Sequence, residues 1–211
     1  MVAHKIVNIC FVLILIQNVF CKPAEYTSEE LDSAIDEMRT NGKPEQKLLL
    51  LSVDSLQEIN EEYAVSAVNF TKHLLKDDAL LANDKPEVLE FKKNLTLYLD
   101  SNDPSANLTT TNDITDNFTD TIKHYVLLPE DKATPESKFI MELLNKHNWV
   151  DLQDNLYNDT DKFFKEFLKM IEENKEVLKK PILDWYDKYR TLTDFHEKMD
   201  AIIEIVALLF N

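Results

Sequence analysis

Glycine is almost missing from this chain, whose 211 residues include a single glycine, Gly42. Phosphate-binding loops, dinucleotide-binding turns and nucleophile elbows each need glycines, because only glycine readily adopts the backbone conformations that they require. Tight β-hairpins depend on glycine for the same reason. The composition therefore argues against nucleotide-binding and serine-hydrolase classes, and it favours helices joined by polar loops.

Cysteine is equally scarce, and both cysteines, Cys10 and Cys21, lie near the N-terminus. Residues 1–21 begin with a short basic stretch and continue with an apolar run over residues 6–16, and Val19 and Cys21 occupy the positions that signal peptidase reads. This is the pattern of a secretory signal peptide, and the apolar run is too short to cross a bilayer with margin. We predict a signal peptide over residues 1–21, cleaved between Cys21 and Lys22, with a membrane anchor as the weaker alternative.

Removal of residues 1–21 would leave a mature chain of about 190 residues, 22–211, that contains no cysteine. Such a chain cannot perform thiol catalysis, exchange disulfides or build a cysteine zinc site. A domain of this size buries an adequate core without disulfides, which become necessary mainly below about 40 residues. We therefore predict a single secreted domain over residues 22–211.

Basic residues are outnumbered, since 23 Lys and Arg stand against 39 Asp and Glu for a net charge of −16. Loss of Lys5 with the signal peptide would change the charge from −16 to −17. Such a charge repels nucleic acids, anionic lipids and heparin at long range. The apolar segment 201–210 is interrupted by Glu204 and is too short for a membrane span or a GPI signal. We predict no nucleic-acid partner and no membrane anchor.

Apolar residues recur at intervals of three and four along most of the chain, which is the spacing of amphipathic helices. Thr27 and Glu30 form a capping-box pattern before the first such helix, and Gly42 followed by Pro44 ends it. Further helices are predicted over about 44–82, from 86 to before residue 104, over about 114–128, from 135, over 149–156, from about 159, and from 181 almost to the C-terminus.

A polar tract interrupts this pattern, because fifteen of the residues from 101 to 120 are Ser, Thr, Asn or Asp. Such a composition offers little apolar surface to bury and predicts a solvated connector at about 101–117. The spacing of Ile114, Phe118 and Ile122 indicates that the second half of the tract turns into a helix.

The predicted fold is all-α, a bundle of about six to seven amphipathic helices with this polar central connector. Pro44, Pro86, Pro135 and Pro181 each stand at a predicted helix start, which would also fit a degenerate repeat of helical hairpins. Proline is common in the first turn of any helix, so the simpler interpretation is a set of ordinary helix starts.

Asn-x-Thr triplets are unusually frequent, since the composition would give about two by chance and the chain has five. In a secreted chain these triplets are acceptors for N-linked carbohydrate. We predict N-glycosylation at five positions: Asn69, Asn94, Asn107, Asn117 and Asn158. Asn107 and Asn117 lie in the predicted connector, Asn94 and Asn158 are expected at or beside helix ends, and Asn69 is expected on the outer face of a helix.

Candidate catalytic and metal-binding residues are few. Three His–Asp pairs have the i, i+4 spacing of one helix face: His73–Asp77, His147–Asp151 and His196–Asp200. A metal site would need these faces to converge, and ordinary surface pairing is the simpler interpretation. The many adjacent carboxylates have the pattern of solvated helix faces rather than of a glycosidase pair. We predict no catalytic residue, no metal, no cofactor and no enzymatic activity.

Large aromatic residues concentrate in the C-terminal third, at Phe163, Phe164, Phe167, Trp185, Tyr186 and Tyr189. They could line a cavity for a small hydrophobe or pack together as a core, and we favour the core. The sequence thus predicts a secreted, acidic, N-glycosylated, non-enzymatic protein of an extracellular fluid that binds a protein partner or receptor. The alternative function is a carrier of a lipid or other small hydrophobic ligand within the helical bundle.

Overall fold

The computed structural model describes residues 28–102 and 108–209. This part of the chain contains nine α-helices, one 3₁₀-helix and no β-strand, so the all-α prediction is confirmed. The helices are α1 (Ser28–Asn41), α2 (Pro44–Leu74), α3 (Asp78–Leu81), α4 (Pro86–Ser101), α5 (Leu108–Val126), α6 (Pro135–Lys146), α7 (Trp149–Glu173), α8 (Lys180–Tyr189) and α9 (Phe195–Leu209). The 3₁₀-helix covers Glu130–Lys132.

The lone glycine has a specific structural reason. Helix α1 ends at Asn41, and the Gly42 N–H donates to the Met38 carbonyl oxygen at 3.0 Å. A Cβ atom on residue 42 would collide with that same carbonyl oxygen. Pro44 then opens α2, because proline suits the first turn of a helix, where its missing N–H costs no hydrogen bond.

Helix α2 ends earlier than the sequence predicts, at Leu74 rather than near residue 82. The cause is Asp77, whose carboxylate accepts hydrogen bonds from the N–H groups of Ala79 and Leu80 and thereby starts α3. An Asp side chain that caps a new helix competes with continuation of the old one. Because the apolar spacing continues through residues 75–77, the sequence pattern alone does not show that the helix ends at Leu74.

The C-terminal helices differ from the prediction in two places. Residues 149–173 form one continuous helix, α7, where the sequence predicted a short turn of helix followed by a second helix. The intervening polar residues include Asn158, which lies on the exposed side of α7. The predicted last helix is instead divided into α8 and α9, and the Asp194 carboxylate accepts the Glu197 N–H at the start of α9.

The predicted connector is shorter than 101–117, because α5 begins at Leu108. Residues 103–107 lie outside the described part of the chain. Phe118 is 2 % exposed, and Thr115 and Thr119 are buried beside it. The Thr119 hydroxyl donates to the Thr115 carbonyl oxygen at 2.9 Å, so this buried polar group keeps a hydrogen-bond partner within the helix. Burial of one face outweighs the weak helix propensity of the tract.

The described residues form two compact units. We call residues 60–157 the central unit, and residues 28–59 with 158–209 the terminal unit, from their places in the sequence. The central unit has a core of aliphatic and aromatic side chains that includes Phe70, Phe91, Phe118 and Trp149. The terminal unit buries Phe167, Ile171, Trp185, Ile202 and Ile205, each at most 3 % exposed. Whether residues 22–211 behave as one domain stays a prediction.

Candidate functional site

An open groove of about 670 Å³ lies between α4 and α5 in the central unit. Helix α4 lines it with Glu87, Glu90, Asn94, Leu97, Tyr98 and Ser101. Helix α5 lines it with Ile114, Asn117, Phe118, Asp120, Thr121, His124 and Tyr125. This volume falls within the range of small-molecule sites in proteins, about 300 to 1,000 Å³.

Ring contacts define how the two helices run along the groove. The Phe91 and Tyr125 rings meet edge to face with centroids 5.2 Å apart, and the Tyr98 and Phe118 rings stack at 4.6 Å. The later residue of α4 therefore faces the earlier residue of α5, so the helices are antiparallel. Glu87 and Glu90 consequently lie at the Tyr125 end of the groove.

The opposite end of the groove carries its exposed apolar side chains, and Ser101 and Asn117 also line it. Leu97, which is 51 % exposed, lines it together with Ile114 and the stacked rings of Tyr98 and Phe118. Seven residues separate Glu90 from Leu97, which corresponds to about 10 Å along a helix axis. The groove thus has a carboxylate end and an apolar end within the length of a small organic molecule.

Tyr125 is the most unusual polar residue of the carboxylate end. Its side chain is packed against the rings of Phe91 and His124, and the residue is only 9 % exposed. Its hydroxyl group has no hydrogen-bond partner among the described residues. Burial, with a smaller contribution from the negative charges of Glu87 and Glu90, raises the pKa of Tyr125 to about 12. The electrostatic potential at this end is therefore negative.

The glycosylation triplets are distributed over four helices. Asn69, Asn94, Asn117 and Asn158 are all exposed, and Asn107 lies outside the described residues. The expectation that Asn94 and Asn158 stand at or beside helix ends is wrong, because they lie within α4 and α7. Asn117 lies in α5 rather than in a connector. Asn94 and Asn117 both line the groove, on its two walls.

Two of the three predicted His–Asp pairs are replaced by a longer-range cluster. The Asp77 carboxylate is 2.6 Å from Lys146 Nζ and 2.8 Å from His147 Nε2, and its side chain is 3 % exposed. Asp77 therefore pairs with the end of α6, not with His73, and His147 pairs with Asp77, not with Asp151. The side chain of His196 lies outside what the structure describes.

Electrostatics and capping hold this cluster together. The pKa of Asp77 lies well below its ordinary value, mainly because Lys146 and then His147 donate hydrogen bonds to the carboxylate. The same carboxylate caps α3. The Asp77 carboxylate therefore has a structural role, because it caps α3 and links the start of α3 to the end of α6. Among residues 28–102 and 108–209, no group of three or more His, Cys, Asp or Glu is placed to hold a metal ion.

The aromatic residues of the C-terminal third pack against one another. The centroids of Phe167 and Trp185 are 5.8 Å apart, and those of Trp185 and Tyr189 are 4.9 Å apart. The ring centroids of Phe164 and Tyr189 are 6.0 Å apart. The Trp185 indole N–H donates to the Ala201 carbonyl oxygen at 2.7 Å, which satisfies the polar atom of this cluster. These side chains pack together as part of the core of the terminal unit, which is the arrangement predicted from the sequence in preference to a ligand cavity.

No helix within the described ranges is both long enough and apolar enough to cross a membrane. In comparisons with known proteins, no protein-family model, curated protein or solved structure matches the chain.

Proposed function

We propose that this chain is a secreted, acidic, N-glycosylated protein that acts without catalysis in an extracellular fluid by binding a protein partner or receptor. The proposal takes its secretion from the signal-peptide pattern of residues 1–21, and its glycosylation from five triplets. The exposure of all four described acceptor asparagines is compatible with carbohydrate at these positions.

The observation that carries the binding function is the groove between α4 and α5. It is open, it combines an apolar end with a carboxylate end, and Leu97 remains half exposed within it. The aromatic cluster of the terminal unit is occupied by its own packing, which favours recognition at a surface over recognition in the interior. A net charge of −16 favours a partner that presents a basic surface.

A small ligand in the same groove is the second candidate function. The volume of about 670 Å³ suits a small molecule and supports this alternative. The carrier function predicted from the sequence placed its hydrophobic ligand within the bundle. The second candidate instead places the ligand in the surface groove.

Native mass spectrometry of the protein purified from its own fluid tests both candidates. A stoichiometric complex with a second polypeptide supports partner binding, and a low-mass adduct released by organic solvent supports the small ligand. Recovery of the protein with neither a second polypeptide nor a low-mass adduct would contradict the proposal that binding is its function.

Two matched variants connect any complex to the groove. Leu97→Asp places a charge at the apolar end of the groove, whereas Val177→Asp changes a side chain of the terminal unit that is 65 % exposed. We expect Leu97→Asp to weaken the complex at least about tenfold and Val177→Asp to leave it intact. Equal effects of the two variants would remove the groove from the proposal.

A further inference from the structure

We propose that the groove between α4 and α5 binds a small amphipathic organic cation, with its ammonium group beside Glu87 and Glu90 and its apolar body along Leu97 and Ile114. This inference rests on the second candidate function, binding of a small ligand. It specifies the chemistry of that ligand.

The charge of the groove selects a cation. Its described lining residues include the carboxylates of Glu87, Glu90 and Asp120 but neither Lys nor Arg. Asp120 is 3.8 Å from Lys123 and is partly neutralised by it. Glu87 accepts a hydrogen bond from the Thr134 hydroxyl at 2.7 Å and forms no ion pair with Lys or Arg among the described residues. A cation placed here would gain two carboxylate partners, and an anion would be repelled.

The Tyr125 hydroxyl supplies a second observation at the same end. This nine-tenths buried residue lines the groove, and its hydroxyl oxygen has no hydrogen-bond donor among the described residues. Tyr98 is different, because its hydroxyl already donates to the Ala64 carbonyl oxygen at 3.4 Å. An ammonium N–H would donate to the free Tyr125 oxygen.

The apolar end requires that the cation carry a hydrophobic body. An inorganic ion would leave Leu97, which is 51 % exposed, and the partly buried Ile114 in water. A neutral hydrophobe would cover these groups but would leave the nearby carboxylates without a charged partner. An arylalkyl or alkyl ammonium ion of about 10 Å or less satisfies both ends of the groove.

Three probes of matched shape test this chemistry by isothermal titration calorimetry on the full secreted protein at physiological salt. They are 2-phenylethylammonium as the cation, 2-phenylethanol as its neutral counterpart and phenylacetate as an anion. We expect the cation to bind at least about tenfold more tightly than the alcohol, and the anion to show no binding. Equal binding of all three probes, or binding of none, would overturn the proposal.

Matched charge variants separate a specific site from the general attraction of an acidic protein. Glu87→Gln with Glu90→Gln should weaken binding of the cation about tenfold and leave binding of the alcohol unchanged. Glu142→Gln with Glu176→Gln removes the same charge from two exposed positions outside the groove and should change neither. Circular dichroism should show native helix content in both variants. Equal losses in the two double variants would assign the binding to net charge and overturn the site.

The proposal also requires that the groove bind the cation when carbohydrate is attached at Asn94 and Asn117, because both residues line the groove. The titration is therefore repeated after enzymatic removal of N-linked carbohydrate, and we expect affinity to change less than about threefold. Binding that appears only after deglycosylation would overturn the proposal for the secreted protein. Failure of the cation to bind would remove this inference and leave partner binding to its own test by native mass spectrometry.

Discussion

Asn69 and Thr71 belong to one glycosylation triplet, yet they lie on opposite sides of α2: Asn69 is exposed and Thr71 is fully buried. Two residues along an α-helix correspond to a rotation of about 200°, which produces this separation. The Thr71 hydroxyl donates to the Ala67 carbonyl oxygen at 2.8 Å. The same arrangement recurs at Asn117 with Thr119 and at Asn158 with Thr160, where each threonine is also buried.

This relationship predicts that carbohydrate is added before the helices fold. An enzyme that reads Asn and Thr together cannot reach the buried threonine hydroxyls in the folded protein. Among the four described sites, we expect the folded, unglycosylated protein to be modified by an oligosaccharyltransferase in vitro mainly at Asn94, because Thr96 is exposed. Unfolding the protein first should restore modification at Asn69. Efficient modification of Asn69 in the folded protein would contradict the prediction.

We expect the secreted protein to carry carbohydrate at Asn69, Asn94, Asn117 and Asn158, because all four side chains are exposed in the folded chain and should tolerate a bulky group. Asn107 is expected to be modified as well, from its polar surroundings in the sequence. Peptide mapping after glycosidase treatment in heavy-oxygen water converts each occupied Asn to a labelled Asp. Unlabelled Asn107 and Asn117 beside labelled sites elsewhere would sink the prediction for this tract.

The mature protein is expected to begin at Lys22, within two residues, and to be found outside the cell. N-terminal sequencing of secreted material measures this directly. Cys10 in the mature form would show that the signal-peptide prediction is wrong, and the chain would then not be free of cysteine.

Asp77→Ala should lower the free energy of unfolding by about 2 kcal/mol, because it removes the cap of α3, the ion pair with Lys146 and the hydrogen bond with His147. We expect less than the loss of a fully buried pair, since the Lys146 side chain is 63 % exposed and solvent screens its charge. Chemical denaturation measures the change. Asp151→Ala, at an exposed position, is the matched control and should cost less than about 0.5 kcal/mol.

The contribution of Asp77 to the free energy of unfolding should decrease as the pH falls. The folded-state pKa of this carboxyl lies below its ordinary value of 3.8, so the folded protein binds its proton less readily than the unfolded chain does. The stabilisation is therefore complete above about pH 5 and is lost as the pH falls through 3.8 toward the folded-state pKa. The difference in unfolding free energy between wild type and Asp77→Asn should shrink over that range. A difference that grows on acidification would refute this assignment.

The helical fold should not depend on metal or on disulfides. The cores of the two units consist of packed apolar and aromatic side chains, and the predicted mature chain has no cysteine. Far-ultraviolet circular dichroism should show dominant helix that a chelator and a reductant leave unchanged. Loss of helix in chelator would reopen the question of a metal site.

Local features of the sequence were sufficient for the fold class and for most helix starts. Gly42 with Pro44 marks the turn between α1 and α2, and Thr134 with Pro135 marks the start of α6, where the Ser137 N–H donates to the Thr134 hydroxyl oxygen. These signals can be read from the sequence because a cap or a turn involves residues within four positions of one another. The outward orientation of Asn69 followed from helix periodicity in the same way.

Pairings between distant residues were decided by the tertiary structure. The spacing of the sequence pairs His73 with Asp77 and His147 with Asp151. In the structure Asp77 instead contacts Lys146 and His147, about seventy positions away. The groove likewise exists because α4 and α5 pack antiparallel through Phe91 with Tyr125 and Tyr98 with Phe118. Apolar periodicity identifies the buried face of a helix but not the helix that covers it, since many partners bury the same area. For that reason the sequence determined an all-α protein, and only the packing of its helices placed carboxylates, an unpaired tyrosine hydroxyl and apolar side chains in one groove.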